Sequence, residues 1–468
     1  MRIALPHPFT VGELAAYANL RVFGCADTQI HAIATDSREV CEGDLFVTFK
    51  GENFDGHVYI DKAIENGASA IMCEHCDSDK ISVAVILCEN TQLALGEIGR
   101  NYHKAHRCTT VAVTGSVGKT TTKEFIACTL EKKFRVHKNQ GNANSEIGLP
   151  LTLISAPRDT EICIVEMGMD KLGDIDYLTN IAYPDLAVVT VIGSSHLEFL
   201  KTRENICRGK MQIVNGMKKG SEVIVNGDEP LLTQFDYTDY TPVFACLDGE
   251  GEYSAKNITV GEDKTEFDFV CSGASHRMAI PALGRHLVWG ALYACIVASK
   301  LGLSIEEIRA GLLRFKSIKR RQNIYQVGAI TVLDDCYNAA PESMRAAADV
   351  LQSLAYSKKL RSVALLGDMR ELGDNSHAMH VDIGEYMVKK GVSLLFTFGK
   401  NALAYAEGAK KAGLSEECIF SVDDIKDYEK CGEAVLKNIS ENDILLVKAS
   451  LSVGADRVIK YISEHIDI

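Results

Sequence analysis

Short apolar runs alternate with segments of helical periodicity along the whole chain, and this alternation falls into three blocks. In the first block, runs such as LRVFG and VAVILCE are separated by helical segments, which predicts a small mixed α/β domain over residues 1–105. The second block, residues 106–316, has the pattern of a parallel sheet with crossover helices. The pattern restarts near Ser317 and predicts a doubly wound, Rossmann-like domain over residues 317–468. At 468 residues the chain is about three times the usual domain length, which agrees with three α/β domains.

The stretch VAVTGSVGKTTTKE, residues 111–124, has the clearest chemical signature in the chain. An apolar run leads into a turn with two glycines, and a lysine and three threonines then begin a predicted helix that ends at Leu130. Glycine lets backbone N–H groups approach phosphate oxygens, and the positive end of a helix favours an anion. The usual phosphate-loop pattern has glycine where this chain has Val113, so an ordinary strand-to-helix turn is the alternative. We predict a P-loop ATPase domain in which phosphates contact Gly115, Ser116, Val117, Gly118, Lys119, Thr120 and Thr121.

Two residues that follow the loop, Glu166 and His196, occupy positions suited to a metal or a substrate. Glu166 ends the buried strand EICIVE, where a carboxylate lies beside the phosphate loop and can supply an oxygen ligand to Mg²⁺. His196 follows the next strand at an equivalent position, although a single histidine is more often structural. Lys210, in a predicted helix over residues 206–214, is an ordinary helix lysine by its pattern alone. The alternative for Glu166 is a surface glutamate at the end of a strand.

Composition limits the partners and the compartment. The chain has 50 Lys and Arg against 63 Asp and Glu, a net charge of −13, so neither nucleic acid nor an anionic membrane is an expected partner. The 15 cysteines are scattered, which suits a reducing cytoplasm better than a disulfide framework. Cys73 and Cys76 come closest to metal spacing but lack a second Cys/His pair. The longest apolar run, residues 287–298, is too short for a membrane span. We expect the protein to be cytoplasmic, and we also expect it to be a monomer.

Over essentially its whole length the chain resembles the ATP-dependent Mur ligases, and among them the UDP-N-acetylmuramoyl-tripeptide:D-alanyl-D-alanine ligase family. Several ordered motifs carry the resemblance, whereas the shortest of them would be weak alone. They are TDSR at 35–38, GDLFVTFKGENFDGHVYI at 43–60, TGSVGKTTTKE at 114–124, GNANSEIGLPLTL at 141–153, EMG at 166–168, SHLEF at 195–199, DDCYNAAPESM at 334–344 and LGDMRELG at 366–373.

The resemblance implies a ligase reaction with two substrates and a nucleotide. ATP would phosphorylate the terminal carboxylate of UDP-N-acetylmuramoyl-tripeptide, and the amine of D-alanyl-D-alanine would attack the acyl phosphate to form an amide. Phosphoryl transfer between two anions depends mainly on neutralising charge, which implies Mg²⁺ as a cofactor. The product would enter peptidoglycan synthesis and so serve cell wall biogenesis, cell shape and cell division.

The resemblance also implies roles for individual residues. Lys119, His196, Lys210 and Arg321 would be catalytic, although the adjacent Arg320 leaves the register of the arginine open. Thr120 and Glu166 would bind one Mg²⁺, and His196 would bind a second together with Lys210 in a carbamylated form. Nucleotide contacts beyond the phosphate loop would come from Asn144, Arg321, Asp335 and Asn338. By composition the polar loops of the first block are solvated, but the resemblance assigns substrate contacts there to Ser37, Arg38, Lys50, Asp55, Gly56 and His57.

Some recognition residues depart from the family pattern. Where relatives have HNVxNALAA, with two asparagines that face adenine, this chain has Leu287 and Gly290. Asparagine is also replaced by Ala340 in the YNANP motif and by Ser145 before the EIG triplet, and Leu451 replaces the arginine of KGSR. These changes leave two alternatives open, a specialised ligase that joins a different dipeptide or depsipeptide, and a non-catalytic nucleotide-binding regulator. The third residue of the acceptor peptide is also left open.

Overall fold

The computed structural model describes residues 1–51, 54–76 and 81–466, which form three domains, each built on one sheet. The three-domain α/β class is therefore confirmed. Glu52 and Asn53, inside one of the family motifs, lie outside the described residues. Within the described part of the chain, no helix combines the length and the apolar character that a membrane crossing requires.

The N-terminal domain has a six-stranded mixed sheet in the order β1-β3-β4-β5-β6-β2. Its strands are β1 Arg2–Thr10, β2 Arg21–Phe23, β3 Gln29–Ala34, β4 Asp44–Val47, β5 Ala68–Cys73 and β6 Ala84–Leu87. Its helices are α1 Val11–Ala16, α2 Ile60–Glu65 and α3 Thr91–Ala105. The strands from β3 to β6 are parallel, whereas β1 and β2 pair antiparallel at the two edges. Asp44 is fully buried because Arg2 donates to both of its carboxylate oxygens, at 2.7 and 2.9 Å.

The central domain has nine strands in the order β15-β14-β13-β12-β11-β10-β7-β9-β8. They are β7 Thr109–Thr114, β8 Val136–Lys138, β9 Ile162–Glu166, β10 Leu186–Val189, β11 Glu222–Asn226, β12 Thr241–Cys246, β13 Tyr253–Val260, β14 Thr265–Cys271 and β15 Ala274–Ile280. The helices are α4 Lys119–Leu130, α5 Gly148–Ile154, α6 Asp174–Ala182, α7 Leu197–Leu200, α8 Arg203–Met211, α9 Pro230–Thr233, α10 Leu287–Lys300 and α11 Ile305–Leu312.

Strand β7 lies between β10 and β9 in the parallel part of this sheet, and both of its faces are covered by apolar cores. Val111 and Val113 point into the core that contains α4 and α10, and Ala112 points into the opposite core. Alternation of this kind is expected of a strand buried on both faces. The carboxyl ends of β7, β9 and β10 meet at one edge of the sheet, where the site lies.

The C-terminal domain has six strands in the order β16-β17-β21-β18-β19-β20. They are β16 Asn323–Val327, β17 Ile330–Asp334, β18 Arg361–Gly367, β19 Leu394–Phe398, β20 Ile419–Val422 and β21 Asp443–Lys448. The helices are α12 Pro341–Lys358, α13 Ser376–Lys389, α14 Leu403–Lys411, α15 Tyr428–Asn438 and α16 Ala455–His465. All neighbours are parallel except β16 and β17, which form an antiparallel edge pair. Helices cover both faces, as the doubly wound prediction requires.

Candidate active site

The turn between β7 and α4 has the backbone geometry of an anion cradle. Gly115 has φ +151°, and a Cβ there would lie 1.8 Å from Thr190 Oγ1, so only glycine fits. Gly118, at φ +85°, is the left-handed residue that precedes Lys119, the first residue of α4. The N–H groups at the start of α4 have no side-chain cap, and the positive end of the helix faces a cavity lined by residues 116–122.

Two side chains of the turn lie ready for an anion. Lys119 Nζ donates to the Gly115 carbonyl at 2.7 Å, which folds the lysine back over the turn. Burial lowers the pKa of Lys119, and the nearby charge of Glu166 opposes that shift. Ser116 Oγ is buried without a hydrogen-bond partner in the described structure, and a buried polar atom of this kind indicates a ligand that the protein alone does not supply.

Glu166, at the end of β9, is held by a hydrogen bond to one carboxylate oxygen, and the other oxygen has no hydrogen bond among the described residues. Its Oε1 accepts from Asn144 Nδ2 at 2.7 Å, whereas Oε2 is buried and has no hydrogen-bond partner among the described residues. Behind it Lys123 is fully buried, donates to the Asn139 carbonyl at 2.6 Å and lies 3.9 Å from Glu166 Oε2. A buried carboxylate with one open oxygen suits a cation.

Lys123 was not identified from the sequence as part of the site. Its signal was available, because it lies four residues after Lys119 and therefore on the same face of α4. The phosphate-loop motif ends before Lys123, and for that reason the residue received no role.

His196 and Lys210 lie on the central-domain wall of the same region. His196 has a left-handed backbone, φ +65°, and its Nδ1 is 2.7 Å from Glu371 Oε2 of the C-terminal domain. Lys210, on α8, is 1% exposed. Burial, and after it the charge of Lys119, lowers the pKa of Lys210 well below its usual value. Both effects favour the neutral amine, which is the nucleophilic form of lysine.

A cavity of about 580 Å³ joins the phosphate loop, Asn144 and Glu166 to the C-terminal domain. Its polar end is the phosphate loop, and its other end is lined largely by apolar side chains that include Leu287, Trp289 and Phe315. Gly290 packs tightly there, because a Cβ would come within 2.8 Å of the Phe125 ring. The two positions that depart from the family's asparagines therefore form an apolar wall.

Arg321 belongs to this cavity, and Arg320 does not. The Arg321 guanidinium lies 4.1 Å from the ring centroid of Tyr337, a cation–π contact at the cavity wall. Arg320 instead donates to Asp456 Oδ2 at 2.7 Å. The structure thus separates two neighbouring arginines between which the sequence could not choose.

Asp335 and Asn338 also line the cavity, and Lys448 fixes the loop between them. Lys448 Nζ donates to Asp335 Oδ2 at 2.5 Å and to the Asn338 carbonyl at 3.0 Å. Burial raises the pKa of Asp335, and the charge of Lys448 opposes the rise.

A further acidic residue of the C-terminal domain reaches across to the central domain. Glu342 Oε1 accepts from both the N–H and the hydroxyl of Ser194 at 3.0 Å, and Oε2 is buried without a partner among the described residues. The sequence alone indicates no role for Glu342, because an acid in the first turn of a helix usually complements the helix dipole.

The six candidate substrate residues of the N-terminal domain form a separate group. The Glu74 N–H donates to His57 Nε2 at 3.0 Å, so the proton of the ring lies on Nδ1, which donates to Asp55 at 2.6 Å. Gly56 lies against backbone, with a Cβ position 2.9 Å from Phe49 N. Ser37 is buried, Arg38 pairs with Asp36, and Lys50 is exposed. Of the described residues that line the cavity, none belongs to this group.

Comparison with known proteins gives a consistent result along the chain. Residues 113–298 match the Mur ligase middle domain, residues 319–451 the Mur ligase glutamate ligase domain, and residues 29–103 the catalytic domain of the Mur ligase family. The UDP-N-acetylmuramoyl-tripeptide–D-alanyl-D-alanine ligase of Bacillus subtilis is 36% identical over 443 residues, 93% of this chain and 94% of the relative. The enzyme of the same name from Haemophilus influenzae is 31% identical, over 84% of this chain and 86% of the relative.

Solved structures agree with these relatives. A crystal structure of MurF from Acinetobacter baumannii superposes with a TM-score of 0.86 at 27% identity, over 98% of this chain and 99% of that one. MurF ligase from Thermotoga maritima in complex with ADP gives 0.80 at 30% identity, over 93% and 97%. The resemblance seen in the sequence is confirmed, and the chain belongs to the UDP-N-acetylmuramoyl-tripeptide–D-alanyl-D-alanine ligase family of the Mur ligases.

Proposed function

We propose that this protein is an ATP-dependent ligase of the cytoplasm that joins D-alanyl-D-alanine to UDP-N-acetylmuramoyl-tripeptide through an acyl phosphate. Family membership supports the reaction class and both substrates. One observation carries the proposal for this chain. An uncapped glycine turn and a half-paired buried carboxylate meet at one cavity between two domains, and Lys210, a buried lysine with a lowered pKa, lies near enough to Lys119 to feel its charge.

The nucleotide would be held from both sides of the cavity. The turn and the start of α4, residues 116–121, line the cavity and would face its phosphates together with the Lys119 side chain, and Asn144 holds Glu166 beside them. From the C-terminal domain Arg321 supplies a second cation, while Asp335 and Asn338 lie on the Lys448-ordered loop, within reach of a ribose. MurF ligase from Thermotoga maritima, a structural relative of this chain, was solved in complex with ADP, which is consistent with a nucleotide site in this protein.

The donor set of this cavity also fits Mg²⁺. The buried, unpartnered Oε2 of Glu166 and the hydroxyl of Thr120 are oxygen donors of the kind a hard cation takes, so these two residues would hold a first ion. His196 and Lys210 would hold a second. When bound, Mg²⁺ supplies positive charge that stabilises the transferring phosphoryl group.

Lys210 needs a chemical change before it can serve as a metal ligand with negative charge. Its neutral amine can attack CO₂, lose one proton to solvent and become a carbamate, which carries two carboxylate-like oxygens. Because the residue is 1% exposed, the carbamate would be protected from water. This chemistry explains why a lysine occupies a position where an acid would otherwise be expected.

Each of the three domains would have its own role in the reaction. Residues 1–105 would bind the UDP-sugar peptide through Ser37, Arg38, Lys50, Asp55, Gly56 and His57. Residues 106–316 would bind ATP and carry out the ligation, and residues 317–468 would close on the nucleotide and exclude water from the acyl phosphate. The Glu342–Ser194 contact supports closure, since it joins the second and third of these units. We further propose that the protein acts as a monomer.

One observation favours a specialised nucleophile as the second candidate. Leu451, where the family pattern has arginine, is 45% exposed and cannot pair with a carboxylate, so a dipeptide variant or a depsipeptide is the alternative substrate. A non-catalytic regulator is disfavoured, because Lys119, Glu166 and Lys210 are all kept and a binder has no need of a neutral, buried lysine.

The test is a reconstituted reaction. The protein is incubated with ATP, Mg²⁺, bicarbonate and UDP-N-acetylmuramoyl-tripeptides that differ in their third residue, with D-alanyl-D-alanine or D-alanyl-D-lactate. Phosphate release and product mass are measured, and Lys119→Ala serves as the control for contaminating ATPase. We expect amide product and equimolar phosphate with D-alanyl-D-alanine. Product only with another nucleophile would support the specialised ligase, and no phosphate with any pair would refute ligation.

A further inference from the structure

Two loops from different domains meet at His196 in an unusual backbone geometry. His196 has φ +65°, and Glu371, which faces it from the C-terminal domain, has φ +64°. The Glu371 carbonyl accepts from the Glu198 N–H at 3.0 Å, while its carboxylate Oε2 lies 2.7 Å from His196 Nδ1. Left-handed backbone is costly for residues other than glycine, and such residues cluster at functional sites.

We propose that Glu371 is a positioning residue that orients the His196 ring toward a bound cation only when the C-terminal domain is docked on the central domain. The inference rests on the proposed function, in which His196 holds the second Mg²⁺. A metal-binding histidine usually donates its other ring N–H to a carboxylate, which fixes both the tautomer and the direction of the ring. Glu371 at Nδ1 leaves Nε2 for the cation.

The geometry favours Glu371 over the other acid near this ring. Asp170, on the central domain, has its Oδ1 3.7 Å from His196 Nδ1, and its side chain is 88% exposed. Glu371 is a full ångström closer and less than half exposed. His196 Nδ1 is within 2.7 Å of Glu371 Oε2 but does not make a hydrogen bond of good angle to it, so the proposed role requires the imidazole to turn toward the carboxylate.

The carboxylate reaches His196 only through contact between the two domains. Glu371 follows β18 of the C-terminal sheet, and Gly373, two residues on, has its Cβ position 3.2 Å from the Glu198 Cα. The loops are therefore packed closely along residues 371–373 and 196–198. If docking of the C-terminal domain on the central domain raises the affinity for the cation, then a bound cation must shift the docking equilibrium toward the docked state by the same factor.

Mn²⁺ binding tests the inference without relying on activity. Mn²⁺ is titrated by electron paramagnetic resonance into protein saturated with a non-hydrolysable ATP analogue and UDP-N-acetylmuramoyl-tripeptide. The variants are Glu371→Ala, Glu371→Gln and the matched control Asp374→Asn, which removes a negative charge from an exposed position in the same loop. We expect two sites in the parent protein. Glu371→Ala should weaken one of them by about 10- to 100-fold, and Glu371→Gln should weaken it less because the amide oxygen still accepts a hydrogen bond.

Small-angle scattering of the same samples tests the link to docking. Mn²⁺ should make the parent and Asp374→Asn more compact, and it should have a smaller effect on Glu371→Ala. Folding of each variant is checked by circular dichroism. If Glu371→Ala is unstable, Mn²⁺ binding and compaction are judged from Glu371→Gln instead.

Different outcomes separate this inference from the proposed function. Two unchanged Mn²⁺ sites in both Glu371 variants would overturn the role of Glu371, and so would equal weakening in Asp374→Asn. If the parent forms product but binds a single Mn²⁺, the second site and Glu371's role fall while the ligase stands. If the parent releases no phosphate with any substrate pair, the proposed function itself fails.

Discussion

Replacing Lys448 by methionine should destabilise the C-terminal domain through Asp335. Lys448 is 1% exposed and donates to Asp335 Oδ2 at 2.5 Å, and Asp335 is 8% exposed. Methionine keeps most of the volume of the lysine stem but leaves a buried carboxylate without its cation. Breaking a buried ion pair by removing one partner typically costs about 3–5 kcal/mol.

The loss of folding free energy in Lys448→Met has an upper limit, because Asp335 can take up a proton and so lose its buried charge. Protonating a carboxyl group whose ordinary pKa is about 3.9 costs about 4 kcal/mol at pH 7 and about 1.5 kcal/mol at pH 5, at roughly 1.36 kcal/mol per unit. Burial raises the pKa of Asp335 in the folded state, and the loss of Lys448 would raise it further. The folded variant then binds more protons than the unfolded chain, so its stability increases as the pH falls. We expect a deficit of about 3–4 kcal/mol at pH 7 that falls to about 1.5 kcal/mol or less at pH 5.

Hydrogen exchange measured by mass spectrometry is the appropriate assay, since a three-domain chain need not unfold in one step. Peptides from β17 and β21 report on the C-terminal domain, and a peptide from β7 is the internal control. The double variant Lys448→Met/Asp335→Asn should recover most of the loss, because no buried charge remains. The reasoning is refuted if Lys448→Met exchanges like the parent at pH 7, or if its deficit is the same at both pH values.

Three other substitutions test the central domain. Gly115→Ala should weaken ADP binding at least tenfold by calorimetry, because its Cβ would meet Thr190 Oγ1 at 1.8 Å, whereas Gly220→Ala, also at positive φ but in open space, should bind like the parent. Lys119→Ala should abolish turnover yet bind the UDP-substrate within about twofold of the parent, since the proposed sites lie on different domains; a large loss of that affinity would contradict the assignment. Lys210→Ala should be inactive and partly rescued by acetate or formate in place of the carbamate, and parent-level activity without them would exclude that role.

The local chemistry of the site could be predicted from the sequence because it follows one short segment. The helix after the phosphate loop begins at Lys119 and ends at Leu130, as its pattern indicates. Glu166 ends β9 because a continuous apolar run stops there. Parallel strands place their carboxyl ends at one edge, so topology brings Glu166 to the loop without further information.

Edge strands and contacts between domains could not be predicted in this way. Strands β1 and β16 lie at sheet edges and have many exposed residues, so their apolar signal is weak. Glu342 and Glu371 lie in motifs that were recognised, but a one-dimensional pattern does not show which acid meets a residue some 150 positions away. The choice between Arg320 and Arg321 likewise depended on where Asp456 lies in space.

Lys119 and Lys210 show how surroundings affect one residue type differently. Burial lowers the pKa of both. Glu166 is the main charge that opposes the shift of Lys119, with Arg321 adding to the shift, whereas for Lys210 the charge of Lys119 adds to the effect of burial and Asp170 opposes it. A nucleotide on the glycine turn would bring further negative charge to Lys119, which folds over that turn, and would keep it protonated. Lys119 would then remain a cation for phosphate while it continues to hold Lys210 neutral, and a neutral amine is the form that can react with CO₂. The pair would thus supply a phosphate-binding cation, Lys119, and a carbamate precursor, Lys210, from the same residue type, because burial and the charge of Lys119 together favour the neutral form of Lys210.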